Sequence, residues 1–239
     1  MLLSNIFTSI FLSDFLITLA LGGMAFRFWQ GFRRGVEKIS QLFFYFSIFF
    51  TIGFLFITIS DILYSALILI LGLFSTVLGL ACFGYLIFYF KLSPLPPRYG
   101  FLIVFILGII ILSLSIFFPF TSYLDPETGK SYLQPHTVIG VLYFLLVFIT
   151  TLPLGIFFIQ KGMALPPSPE KTKVYGFAVI LFLGLILVLI YSLPILQSYH
   201  LPLVIGWTII FLVINFLSQK PPSSPKKYTP YQPTAKIEW

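Results

Sequence analysis

Two stretches, Leu95-Pro96-Pro97-Arg98-Tyr99-Gly100-Phe101 and Leu165-Pro166-Pro167 followed by Tyr175-Gly176-Phe177, decide how this chain is read. Each is a proline-rich, basic elbow that leads through Tyr-Gly-Phe into a long uncharged run. Gly108 and Gly184 follow at the same distance from the two tyrosines, and Pro119 and Pro194 close the runs. Each elbow is also preceded by a matching exit, Gly84 to Lys91 and Gly155 to Lys161. The pattern predicts one helical hairpin used twice inside an all-α, polytopic membrane protein.

Composition supports lipid rather than water as the solvent. Apolar residues make up 59% of the chain, charged residues 9%, and the mean hydropathy is +1.04. Soluble domains carry about a quarter charged residues. Uncharged runs long enough to cross a bilayer recur along the sequence. A net charge of +7 would suggest nucleic acid in a soluble protein, but here the basic residues sit in short loops between spans, and no nucleic-acid partner is expected. Cys82 is the one cysteine, which excludes an internal disulfide. The N-terminus has neither a basic region nor a small-residue cleavage site, so the first apolar run is expected to stay in the mature protein.

Seven spans are predicted, near residues 6–26, 41–59, 62–90, 99–118, 137–159, 169–193 and 201–217, forming one transmembrane domain over 1–219. Phe28, Phe32 and Val36 recur every fourth residue beside Trp29, the spacing of a short helix lying in the headgroup layer or of a plain aromatic connector. Ser60-Asp61 reads as a tight turn in which either residue caps the third helix. Gly72 with Thr76 and Ser75 with Gly79 are small pairs that permit close helix packing. Between spans four and five, two Ser-Tyr-Leu arms flank Asp125-Pro126-Glu127-Thr128-Gly129-Lys130, which predicts a two-stranded flap with Tyr123 and Tyr132 resting on helix ends. Thr150-Thr151-Leu152-Pro153 predicts a kink in span five. Ser168-Pro169-Glu170 reads as the capped start of span six. The tail 220–239, rich in proline and lysine, has little to bury and is expected to be disordered and cytoplasmic.

Orientation follows from charge. With seven spans, every basic residue except Lys130 falls on one side. Basic residues in short loops stay in the cytoplasm, so the N-terminus is expected outside and the C-terminus inside a bacterial or archaeal cytoplasmic membrane. Arg27, Arg33, Arg34, Lys38, Lys226 and Lys227 then face anionic lipid headgroups.

Few residues offer chemistry. Asp14 is the one acid well inside a predicted span, and intramembrane ionisable residues are functional candidates. No basic residue sits at its depth, and Ser9 and Ser13 offer local hydrogen bonds, so a structural role stands beside a functional one. Asn215 is the second candidate intramembrane polar residue. Asp61, His136, His200, Tyr123 and Tyr132 are candidate outer-face residues. Two histidines and one cysteine, without a His-Glu-X-X-His string, give no metal site. An intramembrane aspartyl protease needs two aspartates at depth, serine chemistry needs a base beside its nucleophile, and no phosphate-binding glycine loop occurs. Neither a catalytic site nor a cofactor is expected. Ser47, Thr51, Thr150, Thr151 and Asn215 are the residues from which a polar transport path would be built.

Seven uncharged helices, the basic aromatic loop Arg27 to Lys38 and the phenylalanine-rich second helix (Phe43, Phe44, Phe46, Phe49, Phe50, Phe54, Phe56) resemble the membrane input regions of bacterial sensor histidine kinases. The resemblance covers residues 6–219. No kinase domain follows before Trp239, so it implies a receptor-like or accessory sensory module acting on a separate partner through the inner loops and tail. A small-solute or proton-coupled carrier using Asp14 and a structural subunit of a membrane complex are the alternatives.

Overall fold

A computed structural model describes residues 9–33, 38–90, 94–124, 131–192 and 204–210. Six long helices follow the chain: α1 (Ser9–Arg33), α2 (Lys38–Leu63), α3 (Ala66–Tyr89), α4 (Pro97–Ser113), α5 (Thr137–Ala164) and α6 (Pro169–Ser192). A 3-10 turn, Leu114–Ile116, extends α4. Residues 204–210 are helical and fall inside the seventh predicted span, the rest of which lies outside the described residues. Four segments, Gln41–Leu63, Ala66–Tyr89, Pro97–Ile116 and Thr137–Ala164, are long and apolar enough to cross a bilayer, and Val174–Ile190 adds a shorter apolar run. The architecture is all-α and fits a multi-pass membrane protein.

Outward-facing side chains agree with that medium. Leu102, Ile103, Ile106 and Ile110 form an exposed apolar stripe along α4. A stripe this continuous would drive aggregation in water and is at rest against acyl chains.

Sequential helices pack as antiparallel neighbours, α1 on α2, α2 on α3 and α3 on α4, while α5 pairs with α6 and touches α3 and α4. Small residues let the first group close up. Gly53 of α2 faces Gly72 of α3 so closely that a Cβ on Gly72 would stand 2.9 Å from the Gly53 carbonyl oxygen. Ser75 then reaches across and donates to the Phe49 carbonyl at 2.8 Å. The predicted small-residue contact is therefore an α2–α3 seam.

Phenylalanines gather at the end of the bundle where α1 finishes and α2 begins. Phe28 stacks on Phe43 at 5.4 Å between centroids, and Phe177 and Phe158 close on Phe43 at 5.5 and 6.2 Å. Arg33, Arg98, Lys161 and Lys171 belong to that same end, at the finish of α1 and α5 and the start of α4 and α6.

The opposite end carries the predicted flap. Strand β1 (Thr121–Leu124) pairs antiparallel with β2 (Ser131–Gln134), placing Tyr123 opposite Tyr132. Leu133 and Phe120 pack against the core under it, while the two tyrosine side chains lie outside the described residues. Span six begins as the sequence reads: α6 starts at Pro169, and the Lys171 amide donates to Ser168 Oγ at 3.3 Å.

Two expectations are corrected. Nothing breaks the helix after Phe26, so α1 continues to Arg33 and Arg27 to Arg33 form no separate headgroup helix. The continuation turns Phe28 inward onto Phe43 and Phe177. Nor is Ser60-Asp61 a turn: α2 runs on to Leu63, and the reversal falls at Tyr64, whose φ of 50° stops the helix, and at Ser65, the N-cap of α3. A helix commonly ends on a left-handed residue because its last carbonyls then find donors.

Candidate functional site

The displaced turn changes the meaning of Asp61. One more helical turn carries it alongside Asp14, close enough for the two carboxyl groups to interact. The antiparallel register of α1 and α2 accounts for this. Near the C-terminal end of α1 Phe28 stacks on Phe43; halfway along, a Cβ on Gly22 would stand 3.6 Å from Thr51 Cγ2. The pairing drifts by about one turn along the two helices and brings Asp14 near Asp61. Asp14 is fully buried, at 0% exposure, and Asp61 Oδ2 has no hydrogen-bond partner among the described residues. Ionised carboxylates only accept hydrogen bonds, so a hydrogen bond between the two would require a proton on one of them.

The second feature is a cavity of about 160 Å³ at the centre of the bundle. Ile17, Leu21 and Met24 of α1, Phe46, Phe50 and Phe54 of α2, and Leu73, Leu80 and Phe83 of α3 form one wall. Val147 and Thr151 of α5, Leu181 and Gly184 of α6, and Trp207 form the other. Phe43 and Phe177, which belong to the aromatic cluster, line one end, and Pro135 and Ser192 the end nearer the flap. Among the described residues, no charged side chain lines it.

Its polar groups are few and mostly engaged. Tyr143 donates across the cavity wall from α5 to Thr76 Oγ1 of α3 at 2.5 Å, and Thr76 donates to the Leu73 carbonyl at 2.7 Å. Ser192 donates to Val188 at 2.8 Å, and Trp207 Nε1 to Ile180 at 3.4 Å.

Of the hydroxyls proposed for a polar path, Ser47, Thr51 and Thr150 are spent on their own helices, and Asn215 lies outside the described residues. Ser47 and Thr51 donate back to Phe43 and Ser47 of their own helix at 2.7 Å, and Thr150 to Leu146 and Val147 at 2.9 and 3.0 Å. None of the three lines the cavity. A hydroxyl in lipid satisfies itself on the preceding turn when no partner helix offers better. Thr151 is the exception and faces the cavity.

The remaining candidates separate. His136 caps α5, accepting from the Val138 amide through Nδ1 at 3.3 Å, and packs on Phe118 at 5.2 Å between rings. That accounts for it structurally. Arg33 lies over Trp29, 4.7 Å from the ring centroid, a cation–π contact at the end of α1. Arg27 is partly buried, and loss of solvent draws its pKa below the usual guanidinium value. Arg34, His200, Asn215, Lys226 and Lys227 lie outside the described residues, as does the Lys38 side chain.

Reading the sequence missed the partnership of Asp61 with Asp14 and the pairing of Tyr143 with Thr76. The first had a partial signal: the two aspartates lie within about one helical turn of equal distance from the link between Arg33 and Lys38. The second had only a weak one, a lone tyrosine inside an otherwise apolar turn of span five.

The chain matches no known protein family, no curated protein and no solved structure. Its class rests on the fold: an all-α protein with several helices able to cross a bilayer.

Proposed function

We propose that the chain is a non-enzymatic, receptor-like membrane module of seven spans, with its N-terminus outside and its C-terminus in the cytoplasm. The central cavity receives a bilayer-soluble ligand, and a separate protein partner reads the outcome at the inner loops and tail. The observation that carries this reading is the cavity itself, held between α1–α3 on one side and α5–α6 on the other. Occupancy there acts on the packing of the two halves, and the helix ends that would report it carry Arg33, Arg98, Lys161 and Lys171. Those basic ends also suit the anionic cytoplasmic leaflet of a bacterial or archaeal membrane.

The test uses the full chain in its own membrane. A photoreactive group at Tyr228 in the tail should crosslink one partner, with a yield that changes when Gly184→Leu fills the cavity. A yield indifferent to that substitution would separate the cavity from any output.

A second reading, a proton-coupled carrier, is favoured by the contact between Asp14 and Asp61. Asp14→Asn in reconstituted vesicles then abolishes a proton-driven solute flux. A receptor instead keeps its tail crosslink and shows no flux with either residue.

A further inference from the structure

Thr151 sits near the middle of α5, is 5% exposed, and lines the central cavity. Its hydroxyl makes no hydrogen bond among the described residues. The carbonyl one turn back, that of Val147, already accepts from Thr150 Oγ1 at 3.0 Å. Among the described lining residues, Thr151 is then the one hydroxyl with its hydrogen unspent.

The other donors of the lining are consumed. Thr76, Tyr143, Ser192 and Trp207 all give their hydrogens to protein acceptors. Water is a poor occupant, because a buried water needs two to four polar partners. Tyr143 lies about 12 Å further along α5 at 1.5 Å per residue, too far to share one water with Thr151. A phospholipid headgroup or an ionised fatty acid would find neither a cation nor a second free donor among the described lining residues to meet its charge. A plain hydrocarbon would leave the hydroxyl buried and unmet.

We infer that the cavity is a site for an uncharged, lipid-soluble molecule bearing a hydroxyl or carbonyl oxygen, which accepts a hydrogen bond from Thr151 while its apolar body fills the chamber. This rests on the receptor reading and specifies its ligand class. Gly184 provides the means to test both, because it lines the cavity and a Cβ built on it meets nothing within 4 Å. A large side chain can therefore be introduced there into open space.

The experiment compares three photoreactive probes on the full chain in nanodiscs: a long-chain alcohol, the matching hydrocarbon, and the matching fatty acid in its ionised form. Labelled positions are read by mass spectrometry, and thermal unfolding in detergent establishes that each variant is folded. The alcohol should bind best and label α5 and α6 at the cavity, and Gly184→Phe should abolish that labelling. Thr151→Val should weaken the alcohol about two- to tenfold, the range of one hydrogen bond. It should leave the hydrocarbon unchanged, and Thr151→Ser should restore the alcohol. If Gly184→Phe labels like the parent, the cavity is not the site and the receptor reading falls with this inference. If Gly184→Phe blocks every probe while alcohol and hydrocarbon bind alike, the ligand class is wrong and the cavity stands.

Discussion

The hairpin α3–α4 and the hairpin α5–α6 share an elbow and a Tyr-Gly-Phe entry, yet the equivalent glycines Gly108 and Gly184 do opposite work. In α3–α4 the backbones meet: Gly84 and Gly100 approach so closely that a Cβ on either would collide with the other's carbonyl oxygen. Gly108 is covered by Val77 in the same manner. In α5–α6 the glycine equivalent to Gly108 is Gly184, and it opens on the central cavity instead. A shared sequence plan has thus put equivalent glycines in different surroundings: Gly108 lies under Val77, Gly184 opens on the cavity, and Gly155 of the same hairpin still packs on Phe182. Whether a glycine marks contact or space depends on what the neighbouring helix presents to it.

That contrast can be broken most forcefully at the closed seam. Gly100→Leu must push α4 away from α3, and thermal unfolding in detergent should show a loss of about 3 kcal/mol or more, or no folded product. Wild-type stability in that variant would mean the seam is not closed. Gly108→Ala is milder. Overlap with Val77 should outweigh the helix propensity gained and cost about 1–2 kcal/mol. Tyr143→Phe removes the hydroxyl that ties α5 to Thr76 of α3, and about 1 kcal/mol should be lost. A double-mutant cycle with Thr76→Val assigns that loss to the pair if the two effects fail to add. Gly184→Ala should go the other way, gaining about 0.5–1 kcal/mol because it relieves glycine's entropy in a helix and fills only void. A destabilised Gly184→Ala would place a neighbour where the cavity is described.

Legibility in the sequence followed the range of the interaction. Helix starts at Thr137 and Pro169, the small-residue seam at Gly72 and Ser75, and the strand pair at Tyr123 and Tyr132 were readable, because each rests on residues within a few positions of one another. The reversal after span two was misplaced because Ser60 and Asp61 carry good capping side chains. Position 64 takes the turn with a left-handed tyrosine, which local propensity disfavours. That shift of one helical turn concealed the aspartate pair.

By itself, the sequence determined the medium and the plan: uncharged runs long enough to span lipid must satisfy their backbone internally, and helices do this from local hydrogen bonds alone. Tertiary structure alone decided which polar groups meet. Asp14 finds Asp61 and Tyr143 finds Thr76 through the register and rotation of packed helices. Those depend on the sum of many weak side-chain contacts distributed over distant parts of the chain. The same packing left Thr151 facing a void, and no pattern along one helix records where its neighbours stop short.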